Sequence, residues 1–121
     1  MQTWNMDVAA PAAARVVVLG DLSMDWVLRV PALPTPGAVV TAQALQSVPG
    51  GQGLRLALAC ARQGLQVHAF GSVGRDSAGH ALRMALQQAG VATDQVQVHD
   101  GVDTGATLQL CEGAQAPRTV Q

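Results

Sequence analysis

Val48-Pro49-Gly50-Gly51-Gln52-Gly53 runs directly into Leu54-Arg55-Leu56-Ala57-Leu58-Ala59-Cys60-Ala61-Arg62-Gln63 and stops at Gly64. The stretch reads as a glycine turn that opens a helix over residues 54–63. Three glycines in four positions permit backbone angles that a Cβ forbids, and they let another group approach the main chain closely. The leading N–H groups of such a helix lack intrahelical partners and point outward as donors for hydroxyls or an anion. A plain tight turn accounts for the glycines alone, so the company they keep along the chain decides the reading.

Upstream lies Arg15-Val16-Val17-Val18-Leu19-Gly20, a β-branched run without alternation. It reads as a strand buried on both faces of a parallel sheet. Asp21-Leu22-Ser23-Met24-Asp25 follows at its C-terminal end, where open α/β sheets bind ligands. An ionised Asp25 can accept hydrogen bonds from two adjacent hydroxyls, which suits a polyol; a turn or capping role is the plainer alternative. Residues 26–30 alternate as a strand, residues 31–37 carry three prolines and form a loop, and residues 38–41 and 43–48 are expected as short strands. A small β excursion thus leaves the main sheet after Asp25 and returns at Pro49.

Downstream, the helix is apolar around most of its circumference and is expected to be covered on several sides. Arg55 stands out in its first turn, where the helix dipole disfavours a cation; a bound anion, Asp25 or solvent can offset that. Residues 66–71 read as the next strand, so strand, helix, strand implies a parallel crossover. Residues 72–79 form a turn into a second helix, with Asp76 or Ser77 as N-cap and Gly90 as its end. Residues 95–99 and 104–110 are expected strands, and residues 118–120 the start of another.

Composition narrows the function classes. The 121 residues suffice for one modest domain. With 12% charged residues against a usual ~25%, and 49% hydrophobic, the chain carries surfaces suited to being covered. A net charge of −1 gives no electrostatic case for nucleic acid or an anionic membrane. All basic residues are Arg, which excludes a lysine Schiff base and a Walker lysine. Cys60 and Cys111 fit no metal spacing and no disulfide framework. Residues 1–14 read as a flexible lead-in, not a signal peptide, and the aliphatic run 16–19 is far too short to span a bilayer. A cytoplasmic protein is the expectation.

The ordered set Val18-Leu19-Gly20…Asp25, Pro34-x-Pro36-Gly37, Pro49-Gly50-Gly51-x-Gly53, Phe70-Gly71-x-Val73-Gly74-x-Asp76-x-x-Gly79, Gly90-Val91 and Thr104-Gly105 resembles the N-terminal part of a ribokinase-like carbohydrate kinase of the phosphofructokinase B family. The resemblance implies an α/β fold: a parallel sheet flanked by helices, with a small β lid formed by strands at approximately 26–48 and 104–121 within a domain of residues 15–121. It implies a sugar or nucleoside as ligand, with Asp25 on its hydroxyls, Gly50 and Gly51 as the backbone it approaches, and Ser23, Gln52 and Arg55 beside it. It also implies a homodimer through the lid strands.

Two departures from the family pattern bear on function. Arg55 stands where the family usually has Asn, Gln52 where it has Lys or Asn, and Ser23 where ribokinases often have Asn. Arg55 either reads a phosphorylated or acidic sugar or pairs with Asp25 and blocks the pocket. Full-length members are also well over twice as long, with the general base, the anion hole and the site for ATP and Mg2+ in their C-terminal half. The expectation is therefore the sugar-binding half of a kinase, truncated, binding no nucleotide and catalytically incompetent alone. The alternatives are a non-catalytic sugar-binding remnant or a module that pairs through its lid strands.

Overall fold

The computed structural model describes residues 14–113. The elements run β1 (Arg15–Leu19), β2 (Ser23–Val30), β3 (Ala44–Gly50), α1 (Gln52–Arg62), β4 (Gln66–Gly74), α2 (Ser77–Gln88), β5 (Val96–His99) and β6 (Ala106–Glu112). They form two three-stranded sheets. The first is parallel in the order β1-β4-β5. The second has the order β3-β2-β6, with β2 antiparallel to β3 and parallel to β6.

Burial against the helices explains the first sheet. Val18, Val67, Ala69 and Val73 pack with Leu54 and Ala57 of α1 and with Leu82 and Leu86 of α2 in one core. Leu54, Leu82 and Leu86 are almost wholly withdrawn from water, each such burial contributing about 1.5–3 kcal/mol. Leu22 and Met24, leading into and opening β2, join the same core and tie the second sheet to the first.

The expectation that β1 is buried on both faces is corrected. Val18 is buried, but Val17 and Leu19 are 63% and 83% exposed. The unalternating valines suit a doubly covered strand, yet the described helices supply cover to only one face. The same holds for α1. It buries Gly53, Leu54 and Ala57, while Leu56 is exposed, so the helix is covered on one side and not several.

Several boundaries also differ. The expected strand at 38–41 does not form. Ala38 N–H bonds to Thr35 O in a turn whose Gly37 has φ 80°, and the chain rejoins β2 where Gln43 N–H meets Arg29 O. β2 starts at Ser23 and not at residue 26, because β3 and β6 pair with it from Ser23 and Met24 onward. Asp25 therefore lies inside a strand and is neither a turn nor a capping residue. β3 continues through Pro49, tolerated because β3 is an edge strand with β2 as its paired neighbour. β4 extends to Gly74 because β5 pairs with its last four residues. β6 begins at Ala106, Thr104 being engaged elsewhere. The expected strand at 118–120 and all of the 1–14 lead-in but Ala14 lie outside the described residues, Ala14 O accepting the Gln66 N–H.

Candidate functional site

Asp25 is only 4% exposed and sits on the central strand of the second sheet, opposite Val48 of β3 and Thr107 of β6. A buried carboxylate is costly without a partner. Its partner is Arg55, whose Nη2 donates to Asp25 Oδ2 at 2.6 Å from the first turn of α1. The guanidinium side chain remains 58% exposed. Asp25 thereby supplies the negative charge that offsets a cation at the wrong end of a helix dipole.

The two glycines are fixed by this arrangement. A Cβ at Gly50 would lie within 2.7 Å of all three carboxyl atoms of Asp25, so no side chain fits while the carboxylate keeps its place. Gly51 has φ 95°, in the left-handed region that favours glycine, and a Cβ there would meet the Asp21 carbonyl.

Asp21 changes the reading of the helix N-terminus. Its Oδ1 accepts the Gln52 N–H at 3.1 Å and its carbonyl accepts the Gly53 N–H at 3.0 Å. The first two amides of α1, expected as free donors, are thus already bonded. They also account for the helix starting at Gln52, two residues earlier than its apolar run suggests.

Beside the Asp25–Arg55 pair lies a cavity of about 250 Å³. It is lined by Asp21, Ser23 and Asp25, by Gly51, Gln52 and Arg55, and by Thr107 and Gln109 of β6. The space is open to solvent and has room for a small polyol. The lining mixes carboxylate acceptors, hydroxyls, amides and one guanidinium, a set that hydrogen-bonds both donors and acceptors. All six residues expected at the site, Asp25, Ser23, Gly50, Gly51, Gln52 and Arg55, converge here; Gly50 does so by backing the Asp25 carboxylate.

Asp21, Thr107 and Gln109 were not among them. Thr107 and Gln109 alternate with Ala106, Leu108 and Leu110, a period-two signal for a face of β6. Only the parallel register with β2 tells that this face is the one carrying Asp25.

A second polar cluster positions that strand. Asp76 is the N-cap of α2 and accepts the Gly79 N–H at 2.7 Å. It also accepts the Thr104 hydroxyl at 2.6 Å and the Thr104 N–H at 2.7 Å, while the Thr104 hydroxyl accepts the Gly74 N–H at 2.9 Å. These bonds, led by the Thr104 hydroxyl, hold the Asp76 carboxyl below its ordinary value. Cβ atoms at Gly74 or Gly79 would collide with Thr104 and neighbouring backbone. The Gly74-x-Asp76-x-x-Gly79 and Thr104 motifs thus form one structural clasp. Gly105 O then receives the Met24 N–H, fixing β6 against β2.

Among the described residues no three His, Cys, Asp or Glu side chains converge. The carboxylates of Asp21, Asp25 and Asp76 are each already bonded. No helix among the described residues is long and apolar enough to cross a membrane.

Residues 13–120 match the model of the pfkB family of carbohydrate kinases. A ribokinase of Bacillus subtilis (strain 168) is 38% identical over 99 residues, covering 81% of this chain and 34% of that protein. The crystal structure of a ribokinase from Cryptococcus neoformans var. grubii serotype A in complex with ADP superposes with a TM-score of 0.78 at 29% identity, over 89% of this chain and 34% of that one. The structure of an Arabidopsis thaliana ribokinase complexed with ribose and ATP has a TM-score of 0.79 at 24% identity, over 90% and 36% of the two chains. The chain therefore spans about a third of the length of the relatives it matches.

Proposed function

Because the chain belongs to the pfkB family of carbohydrate kinases, we propose that it supplies the sugar-binding side of a kinase that transfers phosphate to a sugar hydroxyl. The observation that carries this reading is the Asp25 carboxylate, held beside Gly50 and Gly51 on the wall of a small polar cavity. Oδ2 is engaged by Arg55, leaving Oδ1 to accept from hydroxyls of a polyol. Glycine at position 51 lets the ligand approach the main chain, and Thr107 and Gln109, on the same sheet face as Asp25, offer further hydrogen bonds. Such contacts orient an acceptor hydroxyl, which is what phosphoryl transfer most requires of this side of a site.

ATP with Mg2+ is the phosphoryl donor in this reading, supplied to the acceptor from outside the described residues. The relatives are well over twice as long as this chain, and in this reading transfer requires groups from the part of them that it does not match. The isolated 121-residue chain is accordingly expected to bind a sugar such as ribose without turning over ATP. A coupled kinase assay beside a binding titration tests both halves. Sugar-dependent ATP turnover would overturn the first restriction, and failure to bind any sugar would overturn the site itself. A cytoplasmic location belongs to the same reading.

One observation favours pairing through the second sheet as an additional role. Trp26, Leu45 and Leu108 share the face opposite Asp25 and are 38%, 56% and 58% exposed. We read this sheet as the lid and its apolar face as the surface of a homodimer. Sedimentation of the wild type against Leu108→Lys tests this: a monomeric wild type would overturn it.

A further inference from the structure

We propose that Arg55 selects the substrate class of this site: a polyol carrying an anionic oxygen group, carboxylate or phosphate, with Arg55 on the anion and Asp25 on the hydroxyls. The inference rests on the reading of the cavity as a sugar site.

The guanidinium offers five N–H donors in a planar fork. One nitrogen, Nη2, is committed to Asp25, and the side chain is otherwise 58% exposed on the cavity wall. Asp25 anchors that nitrogen, and Arg55 lines the same space as Thr107 and Gln109. A neutral polyol is served by the carboxylate, hydroxyl and amide groups already present and leaves the fork underused. An anion takes two parallel charge-assisted bonds from it, the geometry in which arginine outperforms other donors. The cation also stands in the first turn of α1, where the dipole opposes it, so a second negative group beside it is favoured. Asp21, the other carboxylate of the cavity, has its Oδ1 turned to the Gln52 N–H.

Titration calorimetry on the full chain decides the matter with four probes: D-ribose, D-gluconate, D-ribose 5-phosphate and inorganic phosphate. The expected result is that gluconate or ribose 5-phosphate binds at least about tenfold tighter than ribose, and tighter than inorganic phosphate. Arg55→Gln should abolish that preference, lowering affinity for the anionic sugars at least about tenfold more than affinity for ribose, and Arg55→Lys, which keeps charge but not the fork, should retain only part of it. Ribose binding as tight as that of both anionic sugars would overturn the inference and leave the sugar site standing. So would a preference that survives Arg55→Gln, or inorganic phosphate binding as tightly as the sugar phosphate. Silence from all probes would overturn the sugar site and the inference together. Circular dichroism of each variant shows that it is folded.

Discussion

Arg55 and Asp25 lie 30 residues apart in the chain and meet at 2.6 Å, joining the first turn of α1 to the central strand of the second sheet. The contact binds the glycine turn, the helix it opens and the small β excursion into one site. Of the expectation that Arg55 pairs with Asp25 and blocks the pocket, the pairing is present, while the side chain stays more than half exposed.

Asp25→Asn keeps the shape of the side chain and removes its charge. Arg55 is more than half exposed, so its release to solvent should change stability by no more than about 1 kcal/mol. Sugar binding should fall about tenfold or more, since a charged acceptor is worth more than a neutral one. Urea unfolding and calorimetry on the same preparation separate the two effects. Unchanged affinity would mean that the carboxylate does not touch the ligand.

Gly50→Ala should be costly although it adds one methyl group. The new Cβ falls on the Asp25 carboxyl, which is buried and held by Arg55. Either the carboxylate or the end of β3 must move, at about 1–3 kcal/mol. Gly105→Ala is a useful control for glycine loss without a clash: its φ is not positive and the nearest atoms to its Cβ position lie at 3.8 Å. A Gly50→Ala variant that matches wild type in urea midpoint and in sugar affinity would contradict the described packing.

The Asp76 clasp predicts an acid-sensitive component of stability. Bonds from the Thr104 hydroxyl and N–H, and from the Gly79 N–H, lower the folded-state value of this carboxyl. A group depressed in the folded state stabilises fully above its unfolded value, about 3.9, and loses that contribution as pH falls through the folded value. Asp76→Asn can still cap α2 but cannot accept from Thr104 with both atoms. Between about pH 5 and about pH 3 the wild type should lose more stability than the variant, and at neutral pH the variant should melt several degrees lower. Parallel pH profiles would show that the clasp carries no charge-dependent stability.

Among the described residues β1 is an edge strand of its sheet, paired with β4 alone, and Leu19 on it is 83% exposed. An apolar strand edge recruits other strands. Leu19→Lys should reduce concentration-dependent association of the isolated chain, measured by light scattering, and alter its unfolding free energy in urea by less than about 0.5 kcal/mol. Equal scattering from both proteins would place the self-association surface elsewhere.

Much of this was legible in the residues. The unalternating valines, the glycine turn and the two capped helices gave the parallel unit, and the ordered motifs brought Asp25 and Gly50-Gly51 to one place. What escaped was set by pairing across distance. That Asp25 lies within a strand follows from β3 and β6 flanking it, and no local pattern records this. Thr107 and Gln109 enter the site only through the β2–β6 register. Asp21 carried no role read from sequence, but its bonds to Gln52 and Gly53 use the amides that the glycine turn was expected to offer a ligand. The one-sided cover of β1 and α1 was misread because apolar residues report what can be buried, not what is present to bury it.

The account stands most directly on where a sugar binds. In an amide NMR titration of the 15N-labelled chain with D-ribose and with D-gluconate, saturable shifts should concentrate at Asp25, Gly50, Gly51, Gln52 and Arg55, with Thr107 and Gln109 following. Saturable shifts confined to other parts of the molecule, or none with either compound, would contradict it.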